Sequence, residues 1–231
     1  MKTIGLIGGM SWESTITYYR IINEEVQARM GGLHSARVLM HSFDFDDIAA
    51  LQRAGDWAGC NGVLAKAGQG LVRAGADFLL ICTNTMQLCA GAVEAAAGVC
   101  VLHMADPLGK AIRAAGLSRV GLLGTRFTME RPDVLRARLK SDFDIGVLTP
   151  QGEDAAEVHR VIYEELCCGR FLENSRARYR GIIARLVERG AEGIILGCTE
   201  IPLLVGPEDC AVPLFDTTGL HARAAVELAL K

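Results

Sequence analysis

Short apolar runs bounded by glycine, aspartate or proline alternate along the chain with longer amphipathic segments, and that alternation predicts βα units built around parallel sheets. Strands are expected at 3–8, 37–41, 78–82 and 99–103, then at 119–124, 144–148, 193–197 and 211–215. Between them Ile16, Tyr19, Ile22, Val26 and Met30 recur at helical spacing. So do Val158, Ile162 and Leu166, and later Ile182, Leu186 and Arg189 at a helix end. Four strands followed by four more predict an α/β fold in two similar halves.

An internal repeat supports the division. "TIGLIGG" (3–9) resembles "RVGLLGT" (119–125), at an offset of 116. The stretch "GLVRAGADFLLICTNT" (70–85) lies against "RLVERGAEGIILGCTE" (185–200) without a gap, at an offset of 115. Leu71 meets Leu186, Gly75 meets Gly190, Ala76 meets Ala191 and Asp77 meets Glu192. Followed onward, that register pairs Cys82 with Gly197 and Thr83 with Cys198, although the eye first couples the two "CT" pairs. One residue matters, because side chains alternate faces along a strand and a slip of one reverses them. Cys82 stays open as the reactive group in place of Thr83.

Composition narrows the chemistry. The 231 residues suffice for one large or two small domains, half of them are apolar, and the formal net charge is −3 with acids and bases interleaved. No basic stripe for nucleic acid and no polybasic or spanning segment for a membrane is present, so a small-molecule ligand is expected. "MKTIGLIGG" turns glycine-rich too early for a signal peptide, so a cytoplasmic protein is expected. Eight cysteines in a reducing compartment are not expected to form disulfides, and none has zinc-site spacing.

Five predicted strand ends run into small polar residues: "GGMSWES", "HSFDFDD", "CTNTMQ", "GTRFT" and "GCTEIP". Such loops cap helices, and at the carboxyl ends of parallel strands they also gather ligands. A thiol at a strand end and helix start is expected to ionise easily, and Cys198 fits that description. Cys60 shares a helical stripe with Trp57, Leu64 and Leu71 and reads as packing, as do Cys89, Cys100 and Cys210. Cys167 and Cys168 end a helix before Gly169, and His103 and His159 read as structural, with a site role as the alternative. "GLIGGMS" lacks the G-x-G-x-x-G spacing of a dinucleotide site, which weakens an oxidoreductase reading.

"GLIGGMSWEST", "CTNTM", "GTRFTM", "IYEEL" and "GCTEI", in that order over essentially the whole chain, resemble the aspartate/glutamate racemase family, which works without pyridoxal phosphate. The resemblance implies two doubly wound α/β domains related by a pseudo-two-fold, with the active site in the cleft between them. The expected domains are 1–104 plus 216–231, and 105–215. It also implies no cofactor, a free amino acid as substrate and a homodimer. The usual family member inverts Cα with two cysteines, one per half. Here the position before Asn84 and Thr85 is Thr83, so the resemblance is to the subgroup with a Thr/Cys pair, Thr83 and Cys198, faster from L to D. Inversion needs a base on one face of Cα and an acid on the other. The helix starts after Thr83 and Cys198 are expected to supply amides for the developing charge. Met10, Ser11, Gln52, Asn84, Thr85, Thr125 and Thr199 carry over as substrate contacts, with Glu200 orienting its loop or capping a helix.

Two departures bear on substrate. Gln87 stands where many relatives have histidine in "NTMH". Ahead of "IYEEL", relatives that prefer aspartate often carry a lysine for the side-chain carboxylate, whereas "GEDAAEVHR" offers Asp154 and Glu157, which extends the expected substrates to other polar amino acids. A related single-cysteine decarboxylase and a non-catalytic amino-acid-binding protein are the competing readings.

Overall fold

The computed structural model describes residues Met1–Lys231, and contacts divide the chain into two compact units: Met1–His103 with His221–Lys231, and Met104–Leu220. The first unit contains β1 (Ile4–Gly8), α1 (Trp12–Met30), β2 (Val38–Ser42), α2 (Phe45–Ala54), α3 (Trp57–Arg73), β3 (Phe78–Ile81) and α4 (Ala90–Ala97). The second contains α5 (Ala105–Ala114), β4 (Arg119–Gly124), α6 (Arg126–Glu130), α7 (Arg136–Phe143), β5 (Gly146–Leu148), α8 (Gly152–Glu164), α9 (Glu173–Glu188), β6 (Ile194–Gly197) and β7 (Leu214–Asp216). The last helix, α10 (Thr217–Ala229), begins in the second unit and belongs to the first from His221 onward. No helix is long and apolar enough to cross a membrane.

Both sheets are parallel and follow one plan. The first has the order β2-β1-β3, with Val101 bridging Leu79 where a fourth strand would stand; the second has the order β5-β4-β6-β7. The expected strand at 99–103 shrinks to that bridge because the carbonyls that would continue the ladder are bonded to side chains, Leu102 O to His221 Nε2 at 2.8 Å and Ile81 O to Gln87 Nε2 at 2.9 Å. Central strands are apolar on both faces, as sheets covered by helices require: every residue of β1, β3 and β6 is buried.

Hydrogen bonding fixes the repeat register. The Asp77 amide donates to Thr3 O as the Glu192 amide does to Arg119 O, and the Leu79 amide to Cys100 O as the Ile194 amide does to Pro213 O. Gly5 pairs with Leu79, and Gly121 with Ile194. A Cβ on Gly5 would lie 2.5 Å from Leu79 Cδ2, and one on Gly121 2.7 Å from Ile194 Cδ1, so both glycines answer the same crowding. The offsets are therefore 116 at the first strand and 115 at the third, and Thr83 is the counterpart of Cys198, with Cys82 the counterpart of Gly197.

Helix α1 corrects the periodicity reading. Its buried face is Ser14, Thr15, Tyr18, Ile22 and Val26, while Ile16, Tyr19 and Met30 are exposed together with Trp12. Residue 16 lies about 200° around the helix from residue 14, so the sequence pattern had merged two faces. On α3 the expected stripe holds: Cys60, Leu64 and Leu71 are buried in the core of the first unit, with Trp57 packed against it. Cys100 is exposed and not a packing residue, since it lies on the truncated edge segment.

His221 pins the returning helix. Its ring is fully buried, with Nε2 2.8 Å from the Leu102 carbonyl and Nδ1 2.9 Å from Tyr18 Oη. A carbonyl only accepts, so Nε2 carries the hydrogen and the Tyr18 hydroxyl donates to Nδ1. Burial lowers the His221 pKa to about 4, with His103 adding to the effect and the Leu102 bond opposing it. The folded state holds this histidine neutral, so its contribution is complete above the unfolded value near 6.5 and is lost as pH falls toward 4. Urea denaturation at pH 7 and pH 4 should show a loss of about 3 kcal/mol attributable to His221, absent from the pH dependence of His221→Gln.

Candidate active site

The loop after β1 is shaped by Gly9, whose φ of +82° and contacts of 2.4 Å from a would-be Cβ to Phe43 backbone atoms admit no side chain. The Gly9 amide donates to Thr15 Oγ1, and the Thr15 and Ser14 hydroxyls donate to Ser11 O, so the first turn of α1 folds back on the loop. Met10 and Ser11 are held buried there. Gln52, on α2, is buried with Nε2 3.1 Å from Met86 Sδ, and Met10, Ile48 and Met86 share one apolar cluster. Met86 belongs to the 3-10 turn Thr85–Cys89 that follows Thr83 and Asn84. The first unit thus gathers Met10, Ser11, Gln52, Asn84 and Thr85 around the loop that carries Thr83.

Cys82, next to Thr83, is fully buried, and burial pushes its thiol far up from the usual cysteine range. Its counterpart Gly197 explains the side it faces: a Cβ there would meet Leu122 Cδ1 at 2.4 Å and Leu123 O at 2.8 Å. Position 82/197 faces packed interior.

In the second unit Thr125 caps α6, its Oγ1 accepting from the Thr128 amide at 3.3 Å. His159, on α8, accepts the Arg126 amide on Nδ1 at 3.2 Å and lies between the rings of Phe127 and Tyr163. Desolvation first, then the Arg126 charge, lowers its pKa, and it holds the Thr125 loop as a neutral ring. Cys198 follows β6 and is 7% exposed. Its Sγ donates to Glu200 Oε2 at 2.8 Å, and Thr199 Oγ1 donates to the same oxygen at 2.9 Å.

This geometry overturns the expectation of an easily ionised thiol. Burial first, and the Glu200 charge second, hold Cys198 well above the ordinary cysteine range. The expected helix after it is only the 3-10 turn Ile201–Leu203, and α4 starts at Ala90, several residues beyond Thr83. The Cys198 loop therefore presents no long helix dipole, whereas the 3-10 turn Thr85–Cys89 after Thr83 runs directly into α4. Glu200, read from the sequence as a loop-orienting or capping residue, is the thiol's direct acceptor; the signal was an acid two places after the cysteine. Glu157 accepts from Arg160 and Arg178, and the Arg160 bond foremost draws its pKa down to about 2, so the stretch without a lysine carries an ion-pair cluster.

Comparison with known proteins places the chain. The family model described as Asp/Glu/Hydantoin racemase matches residues 7–225. A candidate Asp/Glu racemase from Yersinia pestis is 50% identical, with a TM-score of 0.92 and all of both chains covered. An aspartate racemase homologue from Pyrococcus horikoshii is 32% identical, with a TM-score of 0.85 and again full coverage of both. Aspartate racemase from Picrophilus torridus, at 19% identity and a TM-score of 0.77 over 100% of this chain and 95% of its own, shares the fold. The chain belongs to the Asp/Glu/hydantoin racemase family.

Proposed function

We propose that this isomerase inverts Cα of a free amino acid without a cofactor, using Cys198 and Thr83 on the two faces of the reacting carbon. The substrate is aspartate, glutamate or another polar amino acid, and conversion is faster from L to D. The observation that carries the reading is the hydrogen-bond register that makes Thr83 and Cys198 counterparts, with a carboxylate on the thiol.

Because the thiol rests protonated, the base forms only when its proton moves. Glu200 accepts that proton along the existing hydrogen bond, and the resulting thiolate takes the α-proton of the L-enantiomer. Thr83 returns a proton on the opposite face. A threonine hydroxyl is a much weaker acid than a thiol, so Thr83 holds no standing anion and serves poorly as a base; the still more basic carbanion takes its proton, solvent water reprotonates the oxygen, and Glu200 gives its proton back to solvent. Turnover from the D side, which needs Thr83 as base, is the slower direction at saturating substrate; at low substrate the two directions share one kcat/KM. Free enantiomers have equal energy, so the final mixture still approaches equal parts. Polar groups of Asn84, Thr85, Thr125 and Thr199 hold the carboxylate and developing charge in place of a cofactor ring.

Eight free thiols support a reducing, cytoplasmic setting. The outward apolar face of α1, Trp12, Ile16 and Tyr19, supports a homodimer, which sedimentation equilibrium tests; a monomer mass excludes it.

The test of function uses protein dialysed against hydroxylamine and EDTA, then incubated with both enantiomers of aspartate, glutamate, asparagine, glutamine and serine. Chiral chromatography at saturating substrate should show at least one L-amino acid inverting, with a slower initial rate from its D form. Unchanged enantiomers throughout would remove the racemase reading, and release of carbon dioxide from an arylmalonate would replace it with decarboxylation.

A further inference from the structure

We infer that Gln87 is the positioning residue for Thr83, and that it governs inversion separately from proton exchange; the inference rests on the two-base reading above. Gln87 is 3% exposed, and its Nε2 donates to Ile81 O at 2.9 Å and to Thr83 O at 3.1 Å. Its own amide donates to Asn84 O at 3.0 Å. Three bonds from one residue therefore close the segment 81–87 on itself.

The chemistry of the side chain matches the task. The chain bends at 82–84 between β3 and the 3-10 turn, and the Ile81 and Thr83 carbonyls both come within reach of the one Gln87 nitrogen. A primary amide carries two hydrogens on one nitrogen and spans both carbonyls at once. A histidine ring nitrogen carries one hydrogen and serves one carbonyl. Threonine is β-branched and stiff at χ1, so fixing the Thr83 backbone also fixes the direction of its hydroxyl. A misplacement of about 1 Å at a reacting group costs on the order of 10²-fold in rate.

Exchange and inversion then separate. In heavy water, Cys198 alone removes and returns a proton on one face, exchanging the L-enantiomer without inverting it. Inversion also needs Thr83. For Gln87→Met, which keeps the volume and loses both donors, conversion to the D form should fall roughly 10- to 100-fold. Deuterium entry into recovered L-substrate should stay within about twofold of wild type. Thr83→Ala should show the same pattern, and Gln87→His, with one donor, should recover part of the inversion. Gln87→Leu, also without the donors, replaces Gln87→Met if that variant does not fold. Equal loss of exchange and inversion, or loss of neither, overturns the positioning role. Wild type showing no exchange in any amino acid overturns the proton-transfer reading itself, and this inference with it.

Discussion

Cys198→Ser is expected to lower α-proton exchange and inversion by at least about 10³-fold while leaving the fold intact, because a serine hydroxyl gives up its proton far less readily than a thiol. The site already starts from an unfavourable position, since burial and Glu200 hold the thiol above the normal cysteine range. Moving to an oxygen acid there leaves Glu200 nothing it can usefully deprotonate. The measurement is the initial rate of inversion with far-ultraviolet circular dichroism as the fold control. The neighbouring Cys82→Ala should keep most of the activity, because position 82 faces packed interior and its counterpart is a glycine with no room for a side chain.

Glu200→Gln is the second large effect. The amide preserves size and a carbonyl acceptor for Cys198 and Thr199, yet it cannot take a proton from the thiol. Positioned acid–base partners contribute about 10²- to 10⁴-fold, and kcat should fall within that range with KM changed by less than about threefold. Removal of the negative charge also removes one cause of the raised Cys198 pKa. If Glu200 were only a loop residue, the amide would hold the loop equally well and kcat would stay near wild type.

Much of the fold was readable because parallel strands write themselves as apolar runs between breakers. The strands 119–124 and 78–81, the α3 stripe and the two-half division are all visible in that pattern. The 115-residue repeat also carried through to hydrogen bonds, since a helix end, a turn glycine and an acid that caps the next strand repeat together: the Glu192 carboxylate accepts the Ser118 and Arg119 amides, as Asp77 accepts that of Thr3. What did not show was decided by tertiary partners. The outward face of α1 has the same residue types as its inward face, and only burial separates Ile16 from Ile22. The edge strand at 99–103 was cut short where the His221 and Gln87 side chains take the next ladder carbonyls, which no local pattern reveals.

At the candidate site, the polar loops were legible and their electrostatics were not. A cysteine at a strand end suggested an acidic thiol, but that inference assumed a helix where the chain makes a single 3-10 turn. It also missed a carboxylate 2.8 Å away. Gln87 looked like a simple departure from histidine, and its two bonds to backbone carbonyls appear only once the turn is folded.

Deuterium at Cα reports directly on proton transfer by Cys198. An L-amino acid that the protein inverts is incubated in heavy water, and the isolated D product is analysed by mass and proton resonance. Wild type and Cys82→Ala should give one deuterium at Cα of each D molecule, and Cys198→Ser none above background. Exchange lost in Cys82→Ala while Cys198→Ser continues to invert would contradict proton transfer by Cys198.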